Sequence, residues 1–589
     1  MGEQKKQSLL NGALVLSLAI VAVKLIGVFF KLYVAIKIGF EGKGYYATAY
    51  NIYTPIYSIA LAGFPTAVAK MVASRAAEGK YRDVKELFSV SRTLFILTGI
   101  VGTAVILIIA YPFTKSIESL NSLPAIAAIA PSMFFCCVMS GYRGYYQGLQ
   151  NMTPSAISQV IEAAGKLIFG WLLINAVLGI GVEFAGNIPV LNKFVTDPVQ
   201  AYSAAAAIAG VTIGSLLALV YLILKHRFAK NLIPSELIEA SPEAQNKKQL
   251  RKELIAISIP IAVSALVSNV TTLIDNWTIQ DRLQHVLNTN YDTVAAMYPD
   301  VVNAFGFTPE LAKNFKSYLF GAYDTVLEIK NIVPTFTITL GLSAIPVLSA
   351  AWVKGDMKEA RYAIDSVYRI TSLIAFPCGI GMMVLAEDIL TLLYGTSATN
   401  APAIPYIAPI LMMYGVSVIF LSLTQPVTNM LQSIDRMDVP IKAMTIGAIL
   451  KIVANFTLVS IPSINIQGAV YGSLICNIVM VVYGAVVIKR ETGMKFDFKN
   501  IVFKPLFCAL LSGGSALLVR AFYIRLFMGQ DLGGVLTARN FTTLGAVMTA
   551  VIVYAFALLL TGTVKKEDVS VLPGGRKIVK LLEKCGLMG

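Results

Sequence analysis

Lys24 and Lys31 stand inside one long apolar stretch, Leu9 to Ile38. Seven residues is almost two helical turns, so in a helix both ammonium groups leave from one face, with Ser17 and Gly27 close by. A lysine near a bilayer centre costs about 2.5–3.5 kcal/mol on insertion scales, so it normally faces protein or water. Two on one face could form a cationic wall that holds an anion. The plainer reading is a long side chain reaching for headgroups. That reading is open to Lys31, near the end of the stretch, and harder for Lys24, which has an apolar run before it.

Other charges stand in apolar runs. Arg143 lies in the run Ser140 to Gly148 and reads as either an anchor at a helix end or an anion ligand. Glu162 and Lys166, four residues apart, are expected to pair on one helix face, with Lys166 also a candidate for a cationic cavity. Lys451 stands one turn before Asn455. Asp275 has Asn269 and Thr271 nearby, and a carboxylate at that depth needs a cation or a basic partner. Hard cations take oxygen ligands of these types. Asp275, Asn269 and Asn455 are therefore cation-coupling candidates, and Ser473 and Asn477 could join them. Asp324 and Glu328 are read as capping a helix start. The expected anion ligands are Lys24, Lys31, Arg143, Lys166 and Lys451.

Catalytic chemistry has no such signal. The sequence contains no phosphate-binding glycine loop, HExxH, nucleophile elbow or Cys/His cluster. The cysteines (Cys136, Cys137, Cys378, Cys476, Cys508 and Cys585) lie mostly in apolar runs without metal spacing, and the only histidines are His226 and His285. No enzyme activity, cofactor or certain metal site is expected. Without a nucleotide-binding domain, uphill work would draw on a Na⁺ or H⁺ gradient, the membrane potential or a downhill substrate.

The elements that must position these residues are membrane spans. Of 589 residues 56% are hydrophobic and only 14% charged, against about 25% charged in soluble domains. About fourteen helical spans are expected, near 9–38, 44–73, 87–111, 123–149, 155–180, 200–224, 253–281, 319–350, 363–386, 403–431, 441–461, 466–488, 501–524 and 540–562. The leading MGEQKKQ runs straight into a span, which is expected of an uncleaved segment rather than a signal peptide. Lysines and arginines fall on alternate loops, so both termini are expected in the cytoplasm. The net charge of +15 then reads as topology and contact with membrane lipids, not as a nucleic-acid footprint.

The chain also repeats loosely. A Pro65 ending followed by Gly79-Lys80 matches a Pro346 ending followed by Gly355-Asp356. The Gln150–Pro154 turn before Lys166 matches the Gln432–Pro440 turn before Lys451. The expected fold is all-α and polytopic, with two six-helix lobes related by a pseudo-two-fold along the membrane normal plus two C-terminal helices, a transporter architecture. The expected divisions are an N-terminal lobe 1–230, a cytoplasmic linker 231–252, a C-terminal lobe 253–490, added spans 491–562 and a cytoplasmic tail 563–589 with a short amphipathic helix Arg576–Lys584.

The run from Tyr142 to Glu162, YRGYYQGLQNMTPSAISQVIE, resembles the SpoVB/YtgP-type polysaccharide biosynthesis proteins. These belong with the lipid II flippase MurJ in the multidrug/oligosaccharidyl-lipid/polysaccharide exporter superfamily. The Lys24 to Lys31 segment looks like that family's basic pair around a glycine, and Ala62 to Lys70 resembles its second-span ending. The resemblance implies a fourteen-helix flippase moving an undecaprenyl-diphosphate-linked cell-wall precursor by alternating access, with a cationic central cavity for the diphosphate and sugars. It also implies a groove for the lipid tail on the last two spans. The chain departs from the MurJ pattern where basic positions fall near Ile56, Tyr57 and Thr325 and an acidic one at Tyr45 or Tyr46, which suits the SpoVB/YtgP branch better. The alternative is a MATE-type cation-coupled multidrug antiporter. The lysines and the two extra spans argue against it. A third reading, a scaffold recruiting cell-wall synthesis enzymes, leaves Lys24 without a reason.

Overall fold

The computed structural model describes residues 9–58, 64–180, 195–228, 233–527 and 538–563. The amphipathic segment expected at Arg576–Lys584 lies outside them. The described residues are helical or in turns, with no strand among them. Their long helices are α1 Leu9–Ser58, α2 Phe64–Ala77, α3 Tyr81–Ser116, α4 Leu123–Gly148, α5 Thr153–Ile180, α6 Pro198–Phe228, α7 Lys247–Thr289, α8 Ala312–Lys330, α9 Ile332–Lys354, α10 Met357–Val384, α11 Ile404–Ser433, α12 Asp438–Leu458, α13 Gly468–Thr492, α14 Lys504–Phe527 and α15 Ala538–Leu560. Eleven helical stretches among the described residues are long and apolar enough to cross a membrane. The chain forms two compact units, residues 1–284 with 310–321, and residues 285–309 with 322–589.

Several expected boundaries move. The first two spans are expected to be separated over residues 39–43, but α1 runs through that polar stretch with a kink at Gly39, whose φ of 66° and ψ of 177° lie outside helical geometry. Helix is tolerated there because the polar groups are satisfied: Tyr45 Oη and Asn314 Nδ2 donate to Glu41 Oε1 at 2.8 and 2.7 Å, and Lys43 Nζ sits 4.7 Å from the Tyr46 ring. The expected eighth span is divided at Asn331. Pro334 has no N–H to continue the ladder from Lys330, and the chain restarts as α9. The outward loop expected over 282–318 is largely helical, with short helices Tyr291–Ala295 and Pro299–Phe305.

The repeated motifs become matched turns. Gly79 and Gly355 both adopt left-handed geometry, with φ 72° and 73°. In the first turn Lys80 N donates to Arg75 O at 2.9 Å and Gly79 N to Ala76 O at 3.2 Å; in the second Asp356 N donates to Ala351 O at 3.0 Å and Gly355 N to Trp352 O at 3.1 Å. These are the two bonds of a Schellman cap. Gln150 and Asp435 form a second matched pair, each at φ 60°, with Asn151 N bonding Tyr146 O and Arg436 N bonding Leu431 O, both at 2.9 Å.

Both ends of the first unit are clamped. At the basic-loop end, Arg82 Nε donates to Ile238 O at 3.0 Å, Gln245 N to Asp83 Oδ1 at 2.7 Å, and Arg75 Nη2 to Glu253 Oε2 at 2.8 Å, so part of the basic charge holds the linker in place. At the other end Lys316 of α8, fully buried, donates to the carbonyls of Ile117 and Glu118. Lys316 stands before the expected eighth span. Burial depresses its ammonium from 10.5 to about 7; nearby Glu118 and Asp281 oppose that shift and Lys313 adds to it.

Between pH 7 and 10.5 the unfolded lysine keeps a proton that the folded one has released, so stability conferred at this site rises with pH across that window and is lost as pH falls toward 7. Thermal melts of wild type and Lys316→Met from pH 6 to 10 should show wild type gaining on the variant above pH 7. A constant difference would refute the assignment.

Candidate functional site

The expected anion ligands of the first unit lie on α1, α4 and α5. Lys24 is exposed and Lys31 half-buried. A Cβ built at Gly27, between them on the helix, would meet nothing within 4 Å, so that face of α1 borders open space. Lys31 Nζ lies 5.7 Å from the centroid of Tyr50, and Lys166 Nζ of α5 reaches the same ring at 5.1 Å and Phe30 at 5.0 Å. Two ammonium groups from different helices thus converge on one aromatic ring. Cation–π attraction of about 0.5–2 kcal/mol each helps hold them there.

Glu162 does not pair with Lys166 as expected. Its Oε2 takes Arg143 Nη2 of α4 at 2.8 Å, and Arg143 Nε also donates to Ser158 Oγ at 3.0 Å. Glu162 Oε1 accepts from Ser215 of α6 at 3.3 Å. Arg143 is buried, 6% exposed, and does not act as a helix-end anchor. It gets there because α4 turns its glycines toward α2: a Cβ at Gly144 would meet Pro65 O at 2.7 Å and Val68 Cβ at 2.8 Å.

Around these groups runs a tyrosine ladder on α1. Tyr46 stacks on Tyr50 (5.7 Å, 13°), Tyr50 meets Tyr53 edge-on (6.0 Å, 61°), and Tyr53 stacks on Tyr57 (5.0 Å, 23°). Tyr53 Oη is fixed against Cys136 Sγ at 3.4 Å. The spacing 46, 50, 53, 57 is a one-face helical pattern visible in the sequence itself.

In the second unit Lys451 and Asn455 are buried on one face of α12, at a close crossing with α13 where a Cβ at Gly472 would meet Asn455 Oδ1 at 2.6 Å and Lys451 Cγ at 3.3 Å. Asn477 Nδ2 donates to Ser417 Oγ at 3.1 Å. Asn269 and Asp275 are half-buried on α7 of the first unit. No group of three acidic, Cys or His side chains with metal-binding spacing occurs among the described residues.

Asp324 and Glu328 do not cap a helix start, because α8 begins at Ala312, three turns earlier. Asp324 and Lys330 are buried; Lys330 Nζ is 4.0 Å from the Tyr414 ring, whose hydroxyl lies 2.6 Å from Tyr323 Oη. On the surface of α14 and α15 an apolar groove of about 680 Å³ is lined by Phe507, Leu511, Leu518, Val553 and Phe556.

Comparison with known proteins places this arrangement. The chain is 23% identical to stage V sporulation protein B of Bacillus subtilis (strain 168) over 98% of its length and all of that protein's. It is 23% identical to the lipid II flippase MurJ of the same strain, covering 93% of this chain and 94% of the relative. Among solved structures, a lipid II flippase MurJ in an inward closed conformation superposes with a TM-score of 0.58 at 14% identity, covering 93% of this chain and 98% of the other. An inward-facing multidrug resistance MATE family transporter of the MOP superfamily gives 0.60 at 12% identity, over 80% and 94%. The lipid II flippase MurJ family model matches residues 332–533, and the polysaccharide biosynthesis protein model residues 9–352. With more than half its length matched by that model and its apolar helices arranged in the MurJ and MATE fold, the chain is a multi-pass membrane protein belonging to the polysaccharide biosynthesis protein family.

Proposed function

We propose that the protein is a flippase for an undecaprenyl-diphosphate-linked cell-wall precursor, lipid II or a related lipid-linked oligosaccharide. The observation that carries this reading is the convergence of Lys31 and Lys166 on Tyr50 within apolar helices. Ammonium groups in such surroundings create a positive potential, and a diphosphate answers it with charge-assisted hydrogen bonds. Lys24, on the open face of α1, receives the anion first. Arg143 completes the basic set of the first unit, and Lys451 is proposed as the substrate ligand of the second. The groove on α14 and α15 takes the polyprenyl tail, since each buried methylene contributes about 0.8 kcal/mol.

The matched Schellman turns support two six-helix repeats in a fourteen-span chain, with the basic loops and both termini in the cytoplasm. The divisions 1–230, 231–252, 253–490, 491–562 and 563–589 follow from that reading. Asp275, with Asn269 on the same helix, is proposed as the site for a coupling Na⁺ or H⁺, and Asn455 is proposed separately as a cation-coupling residue of the second unit. No cofactor takes part, and cell-wall synthesis enzymes are the natural neighbours.

The test is complementation of cells depleted of their lipid II flippase, read as surface exposure of the lipid-linked precursor at matched expression. Wild type should restore exposure. Lys166→Ala should reduce it at least tenfold, and Lys24→Glu should abolish it because like charge repels the diphosphate. Normal exposure with both variants would sink the reading.

A further inference from the structure

The tyrosine ladder has a structure that core packing alone does not require. Tyr46 and Tyr53 are buried, whereas Tyr50 and Tyr57 are half-buried. Each half-buried ring lies nearly parallel to a buried one, so each is a flat slab held from behind. The slabs carry different company. Tyr50 has the two ammonium groups of Lys31 and Lys166. Tyr57 stacks on Tyr53, whose hydroxyl lies 3.4 Å from Cys136 Sγ, and that sulfur lies 4.0 Å from Glu162 Oε1. Glu162 keeps 20% side-chain exposure; its Oε2 is held by Arg143, and among the described residues its Oε1 takes longer contacts to Ser215 at 3.3 Å and Cys136 at 4.0 Å. An ionised carboxylate has about four acceptor positions, so Oε1 can accept further hydroxyl donors. Seven residues separate the half-buried rings, about 10 Å along the helix, a length comparable with a diphosphate followed by one pyranose ring.

We propose that Tyr57 is the stacking platform for the first sugar of the substrate, with Glu162 accepting from that sugar's hydroxyls while Lys31 and Lys166 hold the diphosphate at Tyr50. The inference rests on the flippase reading and gives it a residue that selects glycosylated over bare lipid diphosphate. The apolar face of a pyranose presents C–H groups to the electron-rich face of the ring. The fixed backing of Tyr53 means that little ring freedom is lost on binding.

The experiment is equilibrium binding of two probes to the purified full-length protein in nanodiscs: undecaprenyl diphosphate, and the same lipid carrying one N-acetylhexosamine. Wild type should bind the glycosylated probe about tenfold more tightly, and Tyr57→Leu should erase that preference while leaving affinity for the bare diphosphate unchanged. Tyr57→Phe, which keeps the ring, should keep the preference. Lys166→Gln should weaken both probes and preserve their ratio. If Tyr57→Leu does not fold by thermal melting, Tyr57→Met removes the ring with an unbranched, more adaptable side chain and is read the same way. Equal binding of both probes by wild type, or an undiminished preference in the ring-less variant, overturns the sugar platform alone. Failure of wild type to bind either probe overturns the flippase reading beneath it.

Discussion

Replacing Gly321 with alanine is expected to separate α8 from the second half of α1 and to release the clamp at the end opposite the basic loops. A Cβ at position 321 would be driven into the Phe40 carbonyl oxygen and would come within 2.6 Å of Gly44 N. The crossing is reciprocal, because a Cβ on Gly44 would meet the Ser317 carbonyl oxygen. All these neighbours are backbone atoms in helices, so no side chain can rotate away. Overpacking of this kind costs about 1–3 kcal/mol before any hydrogen bond is lost. Here the Asn314–Glu41 bond and the Lys316 bonds to Ile117 and Glu118 depend on the same approach. A disulfide engineered between positions 41 and 314 reports the crossing, and its yield should fall at least tenfold on a Gly321→Ala background. Gly44→Ala should act alike. The double variant should cost little more than either, because the first methyl already parts the backbones. Unchanged cross-linking and melting in Gly321→Ala would show that the helices do not approach as described.

Neither glycine announced that role in the sequence. Gly44 opens the expected second span directly after a polar stretch that hydropathy reads as a break, and burial of Lys43 and the bonding of Glu41 let the helix continue. What hydropathy and turn chemistry could see, they saw locally. The segments at Gly79 and Gly355 were legible as a repeat, and they close as Schellman caps because glycine adopts positive φ without strain. The Lys24–Lys31 face was legible because helical period is a property of one segment. The partner of Glu162 was not. The rule that pairs residues four apart is local, whereas Arg143 arrives from another helix, brought by the Gly144 crossing with α2. Asp324 and Glu328 were misread for a related reason: the apolar boundary of a span need not be its helical boundary, and α8 begins in polar sequence at Ala312. The tyrosine ladder was visible as a pattern, but its coupling to two lysines required α5 to be placed against α1.

The Arg143–Glu162 pair yields the largest stability effect expected in the first unit, and a way to separate structure from transport. Breaking a buried ion pair by removing one partner typically costs about 3–5 kcal/mol, because the remaining charge is left uncompensated. The two halves of this pair are not equivalent. Arg143 is 6% exposed and Glu162 20%, so an orphaned carboxylate can recover some hydration and an orphaned guanidinium can recover less. Glu162→Gln should therefore lower the melting temperature more than Arg143→Met does. The double variant Arg143→Met/Glu162→Leu should melt close to wild type, since replacing a whole buried pair by apolar side chains is often neutral or stabilising. Transport should behave differently. If the pair only locks α4 to α5, restoring stability restores precursor exposure in depleted cells. If Arg143 and Glu162 touch the substrate, as proposed, the stable double variant remains inactive. A double variant that is both stable and active would assign the pair to packing, and would remove Arg143 and Glu162 from the binding site while leaving Lys31 and Lys166 in it.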